Sequence, residues 1–302
     1  MADDAVDGKL EQFFLRCIEA MASEATRAKL KDPSSGRPGR HLLALQTGVW
    51  QELGVSEDAG RAAVRGVPAA ATASDSSLPG LKRAFAAGAD AAYLRCLEDR
   101  RPRALTKGRM PRDVVLEFLE ACNVKLDTQE VRERLQQKIE DTGGLPETVV
   151  NEVHEETMEL LGFEPEYART CFAEFGKNQE FAQDKDVAVA YARWRGKSSD
   201  VMLELLYNHW QKGGTLHVDA AVKHKMLLHR AKVELDEMSK EGRRKLLEAS
   251  IDKVNVFHKL PEEGRQRYLD RLDDEEKLAF IKAEMLVLSL VRAQQPMLHP
   301  AE

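Results

Sequence analysis

No stretch of this 302-residue chain alternates apolar and polar residues for more than a few positions, while apolar side chains return every three or four residues along most of its length. That spacing matches the 3.6-residue turn of an α-helix and not the two-residue period of a strand. Phe13, Phe14, Cys17, Ile18 and Met21 form one such stripe within 9–31, and Leu42, Leu45, Val49, Trp50 and Leu53 form a second within about 40–53. The residue supply agrees: aromatics are 6% of the chain, and β-branched residues are thin beside Ala, Leu, Glu, Lys and Arg, the better helix formers. The fold class expected is all-α, without a sheet.

Breakers divide the pattern. DPSSGRPG ends the first helix, Gly54 ends the second, and Ser56 caps a short third with Glu57 and Asp58 in its first turn, where the helix dipole favours anions. VPAAATASDSSLPG, 67–80, reads as a loop before a helix over about 79–99. Further helices are expected over 113–141 with Asp127 as a cap in the middle, about 146–161, a short one from Glu164 with Pro165 in its first turn, then 183–195 and 198–211. Four more follow over 218–238, 240–258, 260–272 and 273–295.

Two parts of this order resemble each other. Leu42, Leu45, Trp50, Leu53 and Gly54 align with Val150, Val153, Met158, Leu161 and Gly162 at a constant offset of 108, as Arg61 does with Arg169. KLKD at 29–32 aligns with KIED at 138–141. The expectation is a diverged duplication: a helical bundle over 1–99, a basic linker over 100–112, and a second bundle with C-terminal helices over 113–302. Two copies are too few for a solenoid, so bundles are favoured over an array.

Charge narrows the partners. The chain carries −6 overall, but residues 1–110 hold 17 Lys and Arg against 14 Asp and Glu, and residues 111–302 hold 28 against 37. A molecule of this balance is a poor general partner for nucleic acid. Cys17, Cys96, Cys122 and Cys171 are far apart, lack a CxxC spacing and sit among apolar residues, which reads as free thiols buried in a reducing compartment. The acidic N-terminus does not read as a signal or transit peptide, and the longest apolar run, MLVLSLV at 285–291, is far short of a membrane span. A cytoplasmic protein is expected, with the nucleus as the other compartment.

Signatures of catalysis are missing: the sequence has no GxGxxG after a strand, no GxxxxGK[ST], no GxSxG, no HExxH and no DxDxDG. His209, His217, His224 and His229 are dense enough to invite a metal reading, but His224 and His229 stand about 140° apart around a helix, and no cysteine joins them. Surface or core-edge histidines are the simpler reading; no metal and no cofactor is expected. Arg100, Arg101, Arg103, Lys107, Arg109 and Arg112 could engage anions, although no aromatic residue interleaves them for stacking on bases. Trp194 and Trp210, with Arg193, could line a pocket or anchor a partner.

The function expected is therefore a non-enzymatic interaction or scaffold protein presenting apolar helix faces to a protein partner, with self-association through the last helix as one route. The alternatives are a helical module for a small apolar or anionic ligand, and an enzyme with a dispersed site near 193–229.

Overall fold

The computed structural model describes residues 2–32, 37–67, 77–100, 110–164, 166–167, 170–171 and 183–294, with side chains from Gly8 to Leu290. It is all-helical: 13 helices, and no strand among the described residues. They are α1 (Ala2–Ala22), α2 (Glu24–Lys31), α3 (Pro38–Glu52), α4 (Glu57–Gly66), α5 (Leu78–Asp99), α6 (Arg112–Lys125) and α7 (Gln129–Thr142). Then come α8 (Glu147–Leu160), α9 (Lys185–Gln211), α10 (Ala220–Glu237), α11 (Lys240–Lys259), α12 (Glu262–Asp270) and α13 (Asp274–Gln294). None of these is long and apolar enough to cross a membrane.

Side-chain caps set many of the starts. The hydroxyls of Ser23, Ser56, Ser77 and Ser239 accept the amide three residues on, as does the Asp219 carboxylate from Val222 at 2.7 Å. At α13, Asp273 accepts the Glu276 amide at 2.8 Å and Glu276 accepts the Asp273 amide at 3.0 Å, a reciprocal capping box. Ser23 divides the single helix expected over 9–31, because its hydroxyl competes for the backbone there. The opposite happens at Ser198: the two helices expected over 183–195 and 198–211 are one, and the buried Ser198 hydroxyl donates to the Arg195 carbonyl at 3.1 Å. Asp127, expected as a cap, directs its carboxylate to Lys197 and Arg132 instead.

The chain forms two compact units, and their boundary is not at 100–112. The first unit comprises 1–134 and 147–198; the second comprises 135–146 and 199–302. One core cluster joins helices across the first unit, from Phe13, Phe14 and Trp50 through Tyr93 and Leu97 to Val115, Leu119 and Met158. The helices on either side of 100–112 thus bury their apolar faces together, and the expected division into bundles 1–99 and 113–302 is corrected accordingly. At the centre is α6, where Val114, Val115, Leu116, Phe118, Leu119, Ala121 and Cys122 are all buried, as a helix apolar on every side requires.

The second unit packs α13 against α10 and α11. Its main core joins Ile139, Leu206, Met226, Leu227, Ala231 and Ile281, and a satellite gathers Val254, Phe257, Phe280 and Val287. Lys282 and Arg230 both reach the Glu234 carboxylate, at 2.6 and 2.7 Å.

The aligned corners do share a backbone geometry. Gly54 (φ 66°) and Gly162 (φ 85°) end α3 and α8 in the left-handed region. In each, the next amide reaches back five residues, Val55 to the Trp50 carbonyl and Phe163 to the Met158 carbonyl, at 3.0 and 2.9 Å. The motif is not confined to those two places: α9 closes on Gly213 (φ 86°) with the Gly214 amide on the His209 carbonyl at 3.0 Å. Gly162→Ala is expected to cost about 1–2 kcal/mol, the penalty of a Cβ in that region, as a lowered midpoint in urea unfolding.

Candidate functional site

A cleft of about 780 Å³ lies in the first unit between the start of α3, one face of α6 and the first turns of α9, with Asp90 of α5 at its side. On α6 the lining residues are Leu116, Glu120, Asn123 and Val124, with Asp127 just past its end. From α9 come Lys185, Asp186, Val189, Ala190, Arg193 and Lys197, and from α3 Arg37, Gly39, Arg40 and Leu43.

The acids of this cleft are mostly committed. Asp127 pairs with Lys197 and, at 3.5 Å, with Arg132, while the Lys197 ammonium also donates to the Asn123 carbonyl at 2.6 Å. Asp186 pairs with Arg112 at 2.5 Å. Glu120 is tucked under the N-terminus of α3, so close that a Cβ on Gly39 would lie 1.9 Å from its Oε1, and it shares a hydrogen bond with Tyr93. Burial raises the Glu120 carboxyl above its ordinary range, against the pull of Arg37 and Arg193.

Asp90 is the acid left over. Burial, with Asp127 nearby, pushes it up to about 6 from the ordinary 3.8, despite Lys197. The folded protein therefore holds this proton more tightly than the unfolded chain does. The stability it lends is complete below about pH 4 and is lost as pH rises through 6. Asp90→Asn is expected to stabilise the protein by roughly 1–2 kcal/mol at pH 8, after discounting for solvent screening, and to change little at pH 4. Thermal unfolding at the two pH values measures it.

The cations are less committed. Lys197 is paired, but Arg37, Arg40, Lys185 and Arg193 make no ion pair among the described residues. Elsewhere, Arg16, Arg27, Arg112, Arg134 and Arg230 are each paired with a carboxylate. Beside these free guanidinium groups stand two exposed apolar side chains, Leu43 at 43% and Val189 at 60%. A second, shallower hollow of about 380 Å³ continues the cleft along α3, sharing Arg40 and Leu43 and running over Ala44, Thr47 and Gly48 to Gln51, with Glu57 of α4 at its far end paired to Arg61. The result is a groove with apolar footholds and surplus positive charge, which suits an anionic, partly apolar guest.

Of the candidate binding residues singled out in the sequence, Arg193 alone among those described lines this groove. Arg100 instead donates from Nε to the Leu30 carbonyl at 2.7 Å and from Nη2 to the Asp32 carbonyl at 3.1 Å, covering the C-terminus of α2. Arg112 clamps Asp184 and Asp186 at the start of α9. That pairing and the Val187 amide lower Asp184 to about 2. Arg101, Arg103, Lys107 and Arg109 lie outside the described residues.

Trp194 packs on His154 and Tyr191 at the edge of the first core, with ring centroids 4.8 and 5.7 Å away. Trp210 packs on Tyr207 in the second core, with the Lys223 ammonium 5.7 Å from its ring. The two tryptophans serve different cores. Among the histidines, His229 faces Asp200 at 3.2 Å, His209 lies 3.3 Å from the Thr215 carbonyl, and His217 and His224 are exposed. Among the described residues no three His, Cys, Asp or Glu side chains converge as metal ligands.

Sequence reading missed Arg37, Arg40, Asp90 and Glu120. The usable signal was in VVLEFLEACNV, where Glu117 and Glu120 interrupt an otherwise apolar run. An acid there has to be buried or has to face a cleft. No protein-family model, curated protein or solved structure matches the chain, so function rests on the site itself.

Proposed function

We propose that this is a non-enzymatic helical interaction protein whose working surface is the groove along α3, α6 and α9. One observation carries the reading: Arg37, Arg40 and Arg193, free of ion pairs among the described residues, stand beside the exposed Leu43 and Val189 in a single concavity. Charged and apolar groups exposed together in a cleft are costly to leave unused and are common at partner sites. The four buried free thiols fit work in a reducing compartment, the cytoplasm or the nucleus.

The test is quantitative capture of partners on the immobilised full-length protein, beside a variant carrying Arg40→Glu and Arg193→Glu. Loss of specific partners from the variant supports the reading, and an unchanged set defeats it. A second reading, a small anionic ligand, is favoured by the same free guanidinium groups. It calls for a rise in melting temperature with pyrophosphate that the variant lacks. Self-association has a smaller surface to offer: Leu288 and Leu290 on α13 are 37% and 39% exposed, while Val287 is buried. A dimer by light scattering that Leu288→Ser and Leu290→Ser dissolve would place the interface there.

A further inference from the structure

We infer that the occupant of the groove is an acidic amphipathic helix of a partner protein, lying along α3. The inference rests on the reading of this groove as the working surface and adds the class of partner.

Three features of the groove select this guest. The first is its course. Arg40, Leu43, Ala44, Thr47, Gly48 and Gln51 stand at i, i+3, i+4, i+7, i+8 and i+11, so they form one face of α3. That face runs about 16 Å at the rise of an α-helix, the length of three turns of a partner. A compact anion would fill only the end at Arg40.

The second is relief. Leu43 and Val189 offer apolar contacts at the wide end, and beyond them the face is lined by small side chains that let another helix approach closely. Gly48 belongs to this stretch, and a Cβ built there meets nothing within 4 Å. The space over it is open to a guest and is not filled by the fold.

The third is charge. Arg37, Arg40, Lys185 and Arg193 have no ion pair among the described residues and outnumber the two remaining acids, Asp90 and Glu120, both raised by burial; Asp127, Asp186 and Glu57 are paired with Lys197, Arg112 and Arg61. A helix with glutamates or aspartates flanking an apolar stripe complements this pattern. Nucleic acid fits it less well, because the lining offers no aromatic residue on which a base could stack.

The test uses a fluorescein-labelled helical peptide of about 18 residues, with leucines at i, i+3, i+4 and i+7 and glutamates on both flanks, titrated with full-length protein by anisotropy. Binding is expected to weaken with added salt and to fall at least tenfold for the Arg40→Glu, Arg193→Glu variant. Gly48→Leu should also weaken it at least tenfold. That change puts a side chain into open space on a helix and removes a poor helix former, so the fold should stand, as circular dichroism would verify.

The inference is overturned if a peptide with the leucines replaced by serine binds equally well, or if pyrophosphate displaces the peptide fully. Equal binding by a version with lysine in place of glutamate overturns it too, as does full binding by Gly48→Leu. The capture experiment separates the two levels. Partners that depend on the groove, with no affinity for the peptide, defeat the helix and leave the working surface standing; partners indifferent to the groove defeat both.

Discussion

Trp50→Ala is expected to cost the first unit about 3–5 kcal/mol, enough to leave most of its helices unprotected under native conditions. Trp50 is 3% exposed and stacks on Phe13 with ring centroids 3.8 Å apart and planes within 7°. Phe13 in turn meets Phe14 and Phe85, at 5.6 and 5.7 Å. The indole also sets the approach of α4: a Cβ on Gly60 would lie 2.4 Å from the Trp50 ring, so α4 rests directly on it. Truncation therefore opens a cavity bordered by α1, α3 and α4 at once, and these helices can collapse into it only partly. Hydrogen exchange should lose protection in α1, α3 and α5, while α10 and α13 keep theirs. Trp50→Phe keeps an aromatic face for Phe13 and is expected to cost less than half as much. Equal losses for the two variants would show that the stack is not what holds the unit together.

How much of this was legible in the sequence depended on the range of the interactions involved. The helix ending at Gly54 could be read because its causes are local: an apolar stripe, a residue that tolerates positive φ, and a serine two positions on that caps the next helix. The same holds for the stop at Gly162 and for the long α13, whose first turn carries Asp274, Glu275 and Glu276. Errors came where a local signal was opposed by tertiary packing. Ser198 looked like a start and lies inside a helix; six cations over 100–112 looked like a linker between bundles, and the flanking α5 and α6 pack on each other. The groove was hidden for a stronger reason. Arg37, Arg40, Asp90, Glu120 and Arg193 come from four helices, and nothing in their spacing distinguishes them from solvated surface charges. What separates Arg193 from Arg195, two residues on, is only that one faces the groove while the guanidinium of the other stands 5.9 Å from the Tyr191 ring.

The boundary between the units was the least legible feature of all, because it falls inside two unbroken helices. Leu135–Pro146 belongs to the second unit although α7 begins in the first, and α9 changes units after Ser198. A composition shift or a breaker marks a boundary that falls in a loop; a continuous helix supplies neither. Ile139→Ala tests the assignment. Ile139 is fully buried among Leu206, Met226, Leu227, Ala231 and Ile281, so the truncation should cost about 2–5 kcal/mol. The loss should show as faster hydrogen exchange in α10 and α13, around Met226 and Ile281. Protection in α1 and α5 should be largely retained, the reverse of the Trp50→Ala pattern. A variant that instead exposed α1 and α5 first would mean that the second half of α7 supports the core of Phe13 and Trp50, and that the boundary lies elsewhere. Because Trp50 reports on the first core, its fluorescence in a Trp194→Phe, Trp210→Phe background follows the unfolding of that unit without reliance on exchange alone.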